Sequence, residues 1–253
     1  MSRSEVWRKR AGELAASFAL LTRLPVGRFV PPDETQAVWP YPIVGATVGL
    51  IGGVAYWLLF SLSCPPVLAA LLAVAAAVLV TGALHEDGLA DMADGFGGVT
   101  PEKRLAIMRD AQVGTYGVLA LILSVGLRVG AIALMAKPTL VVAALIAAGA
   151  ASRATAAALM AALPHARGDG LSVAVGRPTG AAAWLAALLA AIIGLLVLPV
   201  GPVFWLLVAS GLAALVVGTL ARDKLGGQTG DVLGASVQVS ECASLVVLAS
   251  FAG

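Results

Sequence analysis

The sequence predicts an all-α, polytopic membrane helical bundle. About seven transmembrane helices follow an N-terminal interfacial amphipathic helix, all in one integral-membrane domain over residues 1–253. Three observations predict this. Hydrophobic residues make up 60% of the chain and charged residues only 12%, against roughly 25% charged in ordinary soluble domains. Apolar runs near the ~20 residues that cross a bilayer recur along the chain. Lys and Arg are distributed very unevenly between the segments that join those runs.

Residues 5–24 read as an amphipathic helix lying in the membrane interface, with Trp7, Leu14, Phe18 and Leu21 on one face and Arg8, Lys9 and Arg10 nearby. The loop 27–42 carries Pro31, Pro32, Pro40 and Pro42, with Trp39 and Tyr41 as an interfacial aromatic anchor. Seven apolar spans follow at about 42–62, 66–86, 114–136, 138–162, 180–199, 202–221 and 232–252. They are rich in Ala and Gly, which suits close helix packing. The last span carries Gln238, Ser240 and Glu241. No internal repeat and no long linker divides the chain.

Seven spans fix alternating sides. With the N-terminus in the cytoplasm, thirteen of the sixteen Lys and Arg lie on that side: Arg3, Arg8, Lys9, Arg10, Arg23, Arg28, Lys103, Arg104, Arg109, Arg167, Arg177, Arg222 and Lys224. The opposite side holds Lys137, and Arg128 and Arg153 lie within spans. This is a positive-inside pattern. It puts every polar loop of any length (85–113, 164–179 and 222–231) on the cytoplasmic face. The net charge of +2 gives no footprint for nucleic acid. Cys64 and Cys242 have no metal-ligand spacing, and the short apolar run 17–24, broken by Arg23 and Pro25, is not a cleavable signal peptide.

The chemistry concentrates at 85–98, HEDGLADMADGFGG, directly after a charge-free run at 66–84. Asp87, Asp91 and Asp94 fall at i, i+4 and i+7, one face of a helix. Like charges stacked there repel, and the C-terminal end of a helix disfavours anions. Both penalties call for a cation, and Mg²⁺ arriving with a phosphate-bearing substrate supplies one. The competing reading is a solvated acidic loop. Thr100 caps a short helix bearing Lys103, Arg104 and Arg109, candidates for the rest of a diphosphate. The loop 164–180 adds His165, a candidate general base or a structural histidine, and Arg167, suited to bidentate phosphate contact. The loop 222–234, RDKLGGQTGDVLG, reads as a phosphate cradle: Gly226, Gly227 and Gly230 permit close backbone approach, and Lys224, Thr229 and Asp231 supply charge and hydroxyl. It is not a Walker A sequence. Arg128, Arg153 and Glu241 at bilayer depth form either a structural ion pair or a polar cavity below the loops.

These residues describe a membrane-embedded, Mg²⁺-dependent enzyme acting on phosphate or diphosphate esters at the cytoplasmic surface. A transporter would need polar sequence on the far side, where there is almost none. A scaffold subunit would make poor use of four clustered carboxylates.

Five stretches together resemble one family: 18–26 (FALLTRLPV), 85–98, 107–117 (IMRDAQVGTYG), 166–171 (ARGDGL) and 225–235 (LGGQTGDVLGA). In order, over nearly the whole chain, they are similar to the cobalamin synthases, the adenosylcobinamide-GDP ribazoletransferases. The resemblance implies that adenosylcobinamide-GDP and α-ribazole, or its 5′-phosphate, give adenosylcobalamin, or its 5′-phosphate, plus GMP. It also implies Mg²⁺ as cofactor and the bacterial inner membrane as location; a homo-oligomer is compatible with it. Under it, Glu86, Asp87, Asp91 and Asp94 are expected at the metal, with Glu86 or His165 as base. Lys103, Arg104, Arg109, Arg167, Lys224, Gly226, Gly227 and Thr229 are expected at the substrate phosphates, and Asp231 either joins the metal site or holds a ribose. Asp91, Asp94 and Gly95 also match the opening of the CDP-alcohol phosphotransferase pattern, whose Ala-Arg and later aspartates are missing here. That family is the runner-up.

Overall fold

The computed structural model describes residues 2–26 and 38–252. The part of the proline-rich loop holding Arg28, Pro31 and Pro32 lies outside them. Eleven helices are found among the described residues: α1 (Arg3–Leu21), α2 (Tyr41–Ser61), α3 (Pro66–Thr81), α4 (Leu84–Gly95), α5 (Pro101–Ile107), α6 (Thr115–Met135), α7 (Pro138–Ala162), α8 (Leu171–Val175), α9 (Gly180–Val197), α10 (Val200–Leu225) and α11 (Gly230–Ala249).

The sequence marks many of the boundaries. Proline occupies the first turn of α2, α3, α5 and α7, where no amide is required. Thr100, Thr179 and Thr229 cap α5, α9 and α11 through their side-chain oxygens. Gly226 ends α10 at φ +81°, a conformation that glycine adopts without strain.

Six helices are long and apolar enough to cross a membrane, and a seventh is reached if α3 and α4, bent by 91° at the break between them, count as one broken span. The expected span 66–86 is therefore corrected. It stops at Thr81 because Gly82 (φ +64°) and Ala83 (φ +59°) both turn left-handed. The Arg23 amide, just beyond α1, donates to the Val80 carbonyl at 2.7 Å, and its side chain packs on Gly82, where a Cβ would leave it no room. So α4 begins a new direction and lies across the end of the bundle, outside the spans.

Helix α7 is the central post. Ala147, Ala148, Ala150, Ala151 and Ala157 are all buried. It meets α2 at glycine: a Cβ on Gly45 would run into the Gly149 carbonyl, and one on Gly49 into that of Leu145. Small residues at four-residue spacing let the two backbones touch, the packing expected between membrane helices. On α1 the buried line is Glu13, Ser17 and Leu21 rather than the predicted Trp7-Leu14-Phe18-Leu21 face. Trp7 is 76% exposed. Glu13 is turned inward because its carboxylate accepts from Trp39 Nε1 at 2.6 Å and pairs with Arg10 at 2.9 Å.

One end of the bundle gathers the ends of α3, α7 and α10, the starts of α6 and α11, and α4, α5 and α8. The loops expected to carry chemistry are all there. Lys137 sits at the other end, where its ammonium donates to the Ala252 carbonyl.

Candidate active site

The site is built where α4 crosses α11. Their closest approach is between glycines. A Cβ on Gly88 would stand 2.8 Å from the Asp231 carbonyl oxygen, and one on Gly234 would stand 3.3 Å from the Gly88 Cα. This crossing carries Asp87 and Asp91 of α4 up to Asp231 of α11. Glu86 and Asp87 lie in the first turn of α4, not at the end of a long helix, so the expected dipole penalty does not apply to them. The mutual repulsion does. Burial, and then Asp87, Asp231 and Asp94, push the Asp91 carboxyl up to about 7, with Arg167 pulling the other way. Arg167 also holds Asp231, Nη2 to Oδ2, at 3.3 Å, and its Nη1 is buried without a partner. Arg167 thus serves Asp231 and Asp91, within a group of carboxylates that repel one another, and its Nε lies 3.8 Å from Asp169.

Two of the expected metal ligands are otherwise engaged. Asp94 accepts the Gly114 and Gly117 amides at 2.7 and 2.8 Å and so caps the start of α6. Any Cβ at Gly117 would collide with that carboxylate. Glu86 points to the opposite side of α4. Its Oε1 accepts from Arg128 Nη1 at 3.1 Å and from Gln238 Nε2 at 3.0 Å. Arg128 lies 3.6 Å from Glu241, which pairs with Arg153. Glu86, Arg128, Glu241 and Arg153 form a charge-balanced buried ladder directly beneath the site, joining both readings left open for the in-span charges. Among the described residues no three His, Cys, Asp or Glu are arranged to hold a metal by themselves. Mg²⁺ usually keeps its waters and is bound by one or two carboxylates together with substrate phosphates, so a pair drawn from Asp87, Asp91 and Asp231 fits such an ion once a phosphate is present.

The other candidates divide similarly. Arg109 pairs with Asp169 on the exposed surface. Arg104 donates to the Lys224 carbonyl at 3.2 Å and ties α5 to α10. Lys103 and Lys224 are exposed. The expected cradle 226–230 turns out to be structural. Gly226 is the αL cap of α10, and Gly227 has no room for a Cβ because Pro164 packs on it. Gln228 and residues 164–166 exchange backbone hydrogen bonds at 2.8 and 2.9 Å, and the Gln228 amide meets His165 Nδ1 at 2.9 Å. Thr229 caps α11 and donates to Asp231 at 3.2 Å. His165 thus latches two loops together and does not line the cavity described next.

A cavity of about 130 Å³ opens beside the carboxylates, between the end of α1, α4, α7, α8 and α11. Asp87, Asp231 and Arg167 line it together with apolar side chains from all five helices. So does His85, 3% exposed, with neither ring nitrogen hydrogen-bonded. Sequence reasoning gave His85 no role. A histidine closing an apolar run reads as packing, and only its missing partners, visible in three dimensions, set it apart.

Comparison with known proteins gives a consistent result. A family model described as cobalamin-5-phosphate synthase matches residues 13–249. A protein of Bradyrhizobium diazoefficiens named adenosylcobinamide-GDP ribazoletransferase is 48% identical over 242 residues, covering 94% of this chain and 92% of the relative. Proteins of the same name from Azorhizobium caulinodans and Mesorhizobium japonicum are each 42% identical, covering 92% and 93% of this chain and 94% and 92% of their own lengths. No solved structure matches.

Proposed function

The chain belongs to the cobalamin-5-phosphate synthase family, and on that premise we propose that it is an adenosylcobinamide-GDP ribazoletransferase working at the end of the bundle where α4 crosses α11. A ribose hydroxyl of α-ribazole, or of its 5′-phosphate, attacks the phosphorus next to cobinamide. A new O–P bond forms and the bond to the bridging oxygen breaks. GMP leaves with that electron pair, and the hydroxyl proton passes to a base. The observation that carries this reading is the convergence of Asp87 and Asp91 of α4 with Asp231 of α11 and with Arg167, all from segments distant in sequence.

Mg²⁺ held by a pair of carboxylates among Asp87, Asp91 and Asp231 and by the substrate's own phosphates would neutralise the diphosphate oxygens. Arg167, with a free buried N–H, binds a phosphate oxygen. The repulsion that pushes the Asp91 carboxyl up to about 7 is what a bound cation would relieve. The ladder from Glu86 to Arg153 holds α4 in register from below. The same end of the bundle bears the Lys and Arg of the long loops, which by the positive-inside rule supports a position on the cytoplasmic side of a bacterial inner membrane.

The test is turnover by the purified protein in detergent, given adenosylcobinamide-GDP, α-ribazole 5′-phosphate and Mg²⁺. GMP and corrinoid product should appear in equal amounts and stop with EDTA. A folded sample that releases no GMP overturns the proposal, and turnover that survives EDTA removes the metal from it.

A further inference from the structure

We infer that the cavity beside the carboxylates is the seat of the acceptor's base, and that His85 is the residue that recognises it; this rests on the transferase reading above. The cavity, at about 130 Å³, is well below the ~300–1,000 Å³ of sites that enclose a whole drug-sized ligand. It has room for one small ring system. A corrin macrocycle is far too large, which leaves the two nucleobases of the reaction, guanine and the dimethylbenzimidazole of ribazole.

The lining decides between them. Leu21, Leu84, Met160, Val175, Leu233 and Val237 make it largely apolar. Guanine carries donors and acceptors along its edge that these walls would leave unpaired, at a cost in binding. Dimethylbenzimidazole presents two methyl groups and a hydrocarbon ring, with one unsubstituted ring nitrogen as acceptor. His85 supplies the matching group, buried at 3% exposure with both nitrogens lacking hydrogen-bond partners. Of the other polar side chains in this wall, Arg153 already serves Glu241 and Ser152, and Tyr41 and Ser172 bring one hydroxyl each. A buried imidazole kept without a partner is costly unless a ligand completes it. Position agrees as well. Asp87, Asp231 and Arg167 line the same cavity, so a base seated on His85 has its ribose emerging among the groups proposed to hold the diphosphate.

The test is steady-state kinetics of the full-length protein with each substrate varied. His85→Phe should raise the KM for α-ribazole about tenfold or more and leave that for adenosylcobinamide-GDP unchanged. His85→Gln, which keeps a donor, should recover part of the loss. Val175→Phe, which fills the cavity, should turn preference toward ribosides of unsubstituted benzimidazole by about tenfold, the scale on which pockets sense added methyl groups. It carries the test should His85→Phe not fold. A shift in the donor's KM, or an unchanged base preference in Val175→Phe, overturns the inference while leaving the proposed reaction intact. A parent protein that transfers nothing overturns the reaction itself.

Discussion

Glu86 and Asp87 are adjacent on α4 and differ in almost every physical respect. Glu86 faces into the bundle, where Arg128 and Gln238 satisfy one of its oxygens and the ladder runs on through Glu241 to Arg153. Asp87 faces the cavity with Asp231, crowds Asp91 beside it, and Arg167 serves Asp231 and Asp91. Below the helix, charges are matched inside the protein. Above it, negative charge exceeds positive. Charge matched within the fold supports structure, and charge left over marks where a ligand supplies the balance.

The comparison can be broken most severely from below. Arg128→Met leaves Glu86 and Glu241 buried and short of a cation, and removing one partner of such a pair costs about 3–5 kcal/mol. We expect a large fall in the melting temperature in detergent. Adding Glu86→Gln should return part of the loss, since the two residues interact directly. A strictly additive double variant would dissolve the ladder.

From above, the effect should be on rate. Asp91→Asn is expected to lower GMP release on the order of 10³-fold with circular dichroism and elution volume unchanged. Full Mg²⁺-dependent turnover in this variant would remove Asp91 from the site.

A smaller effect should come from the crossing that joins the two regions. Gly234→Val forces α11 away from His85 and Gly88. Overpacking of this kind costs about 1–3 kcal/mol, and activity should fall further than stability because Asp231 moves away from Asp91. Equal losses in both would make the crossing a packing contact alone.

The smallest expected effect sharpens the comparison through pH. The Asp91 carboxyl stands at about 7, above its usual value near 4. A raised carboxylate favours the folded state while protonated, so its contribution is present at low pH and is lost as pH rises through about 7. In EDTA, Asp91→Asn should therefore melt higher than the parent at pH 8, and the gap should close at pH 5. A gap that is independent of pH would mean that Asp91 is not crowded.

Much of this protein was legible in its residues. The six or seven apolar helices and the gathering of the polar loops at one end both follow from composition, periodicity and charge order. Asp231 and Arg167 read from sequence as candidates in separate loops, and only the fold brings them together. The assignments that changed share one cause. Asp94 left the metal for the α6 amides, Glu86 for Arg128, His165 for Gln228, and Gly226 and Gly227 for packing and capping. In each case a partner remote along the chain, or the local turn geometry, claimed the group.

Local sequence was therefore enough to determine which segments enter a membrane and which are charged, because solvation acts residue by residue. The tertiary structure alone decided which carboxylate is neutralised and which is left over. That depends on the break at Gly82-Ala83, which turns α4 across the bundle, and on the glycine contact of α4 with α11, which sets one face of α4 against Arg128 and the other against Asp231. Coulomb energy falls with distance, and the distances between these groups exist only once the helices have crossed.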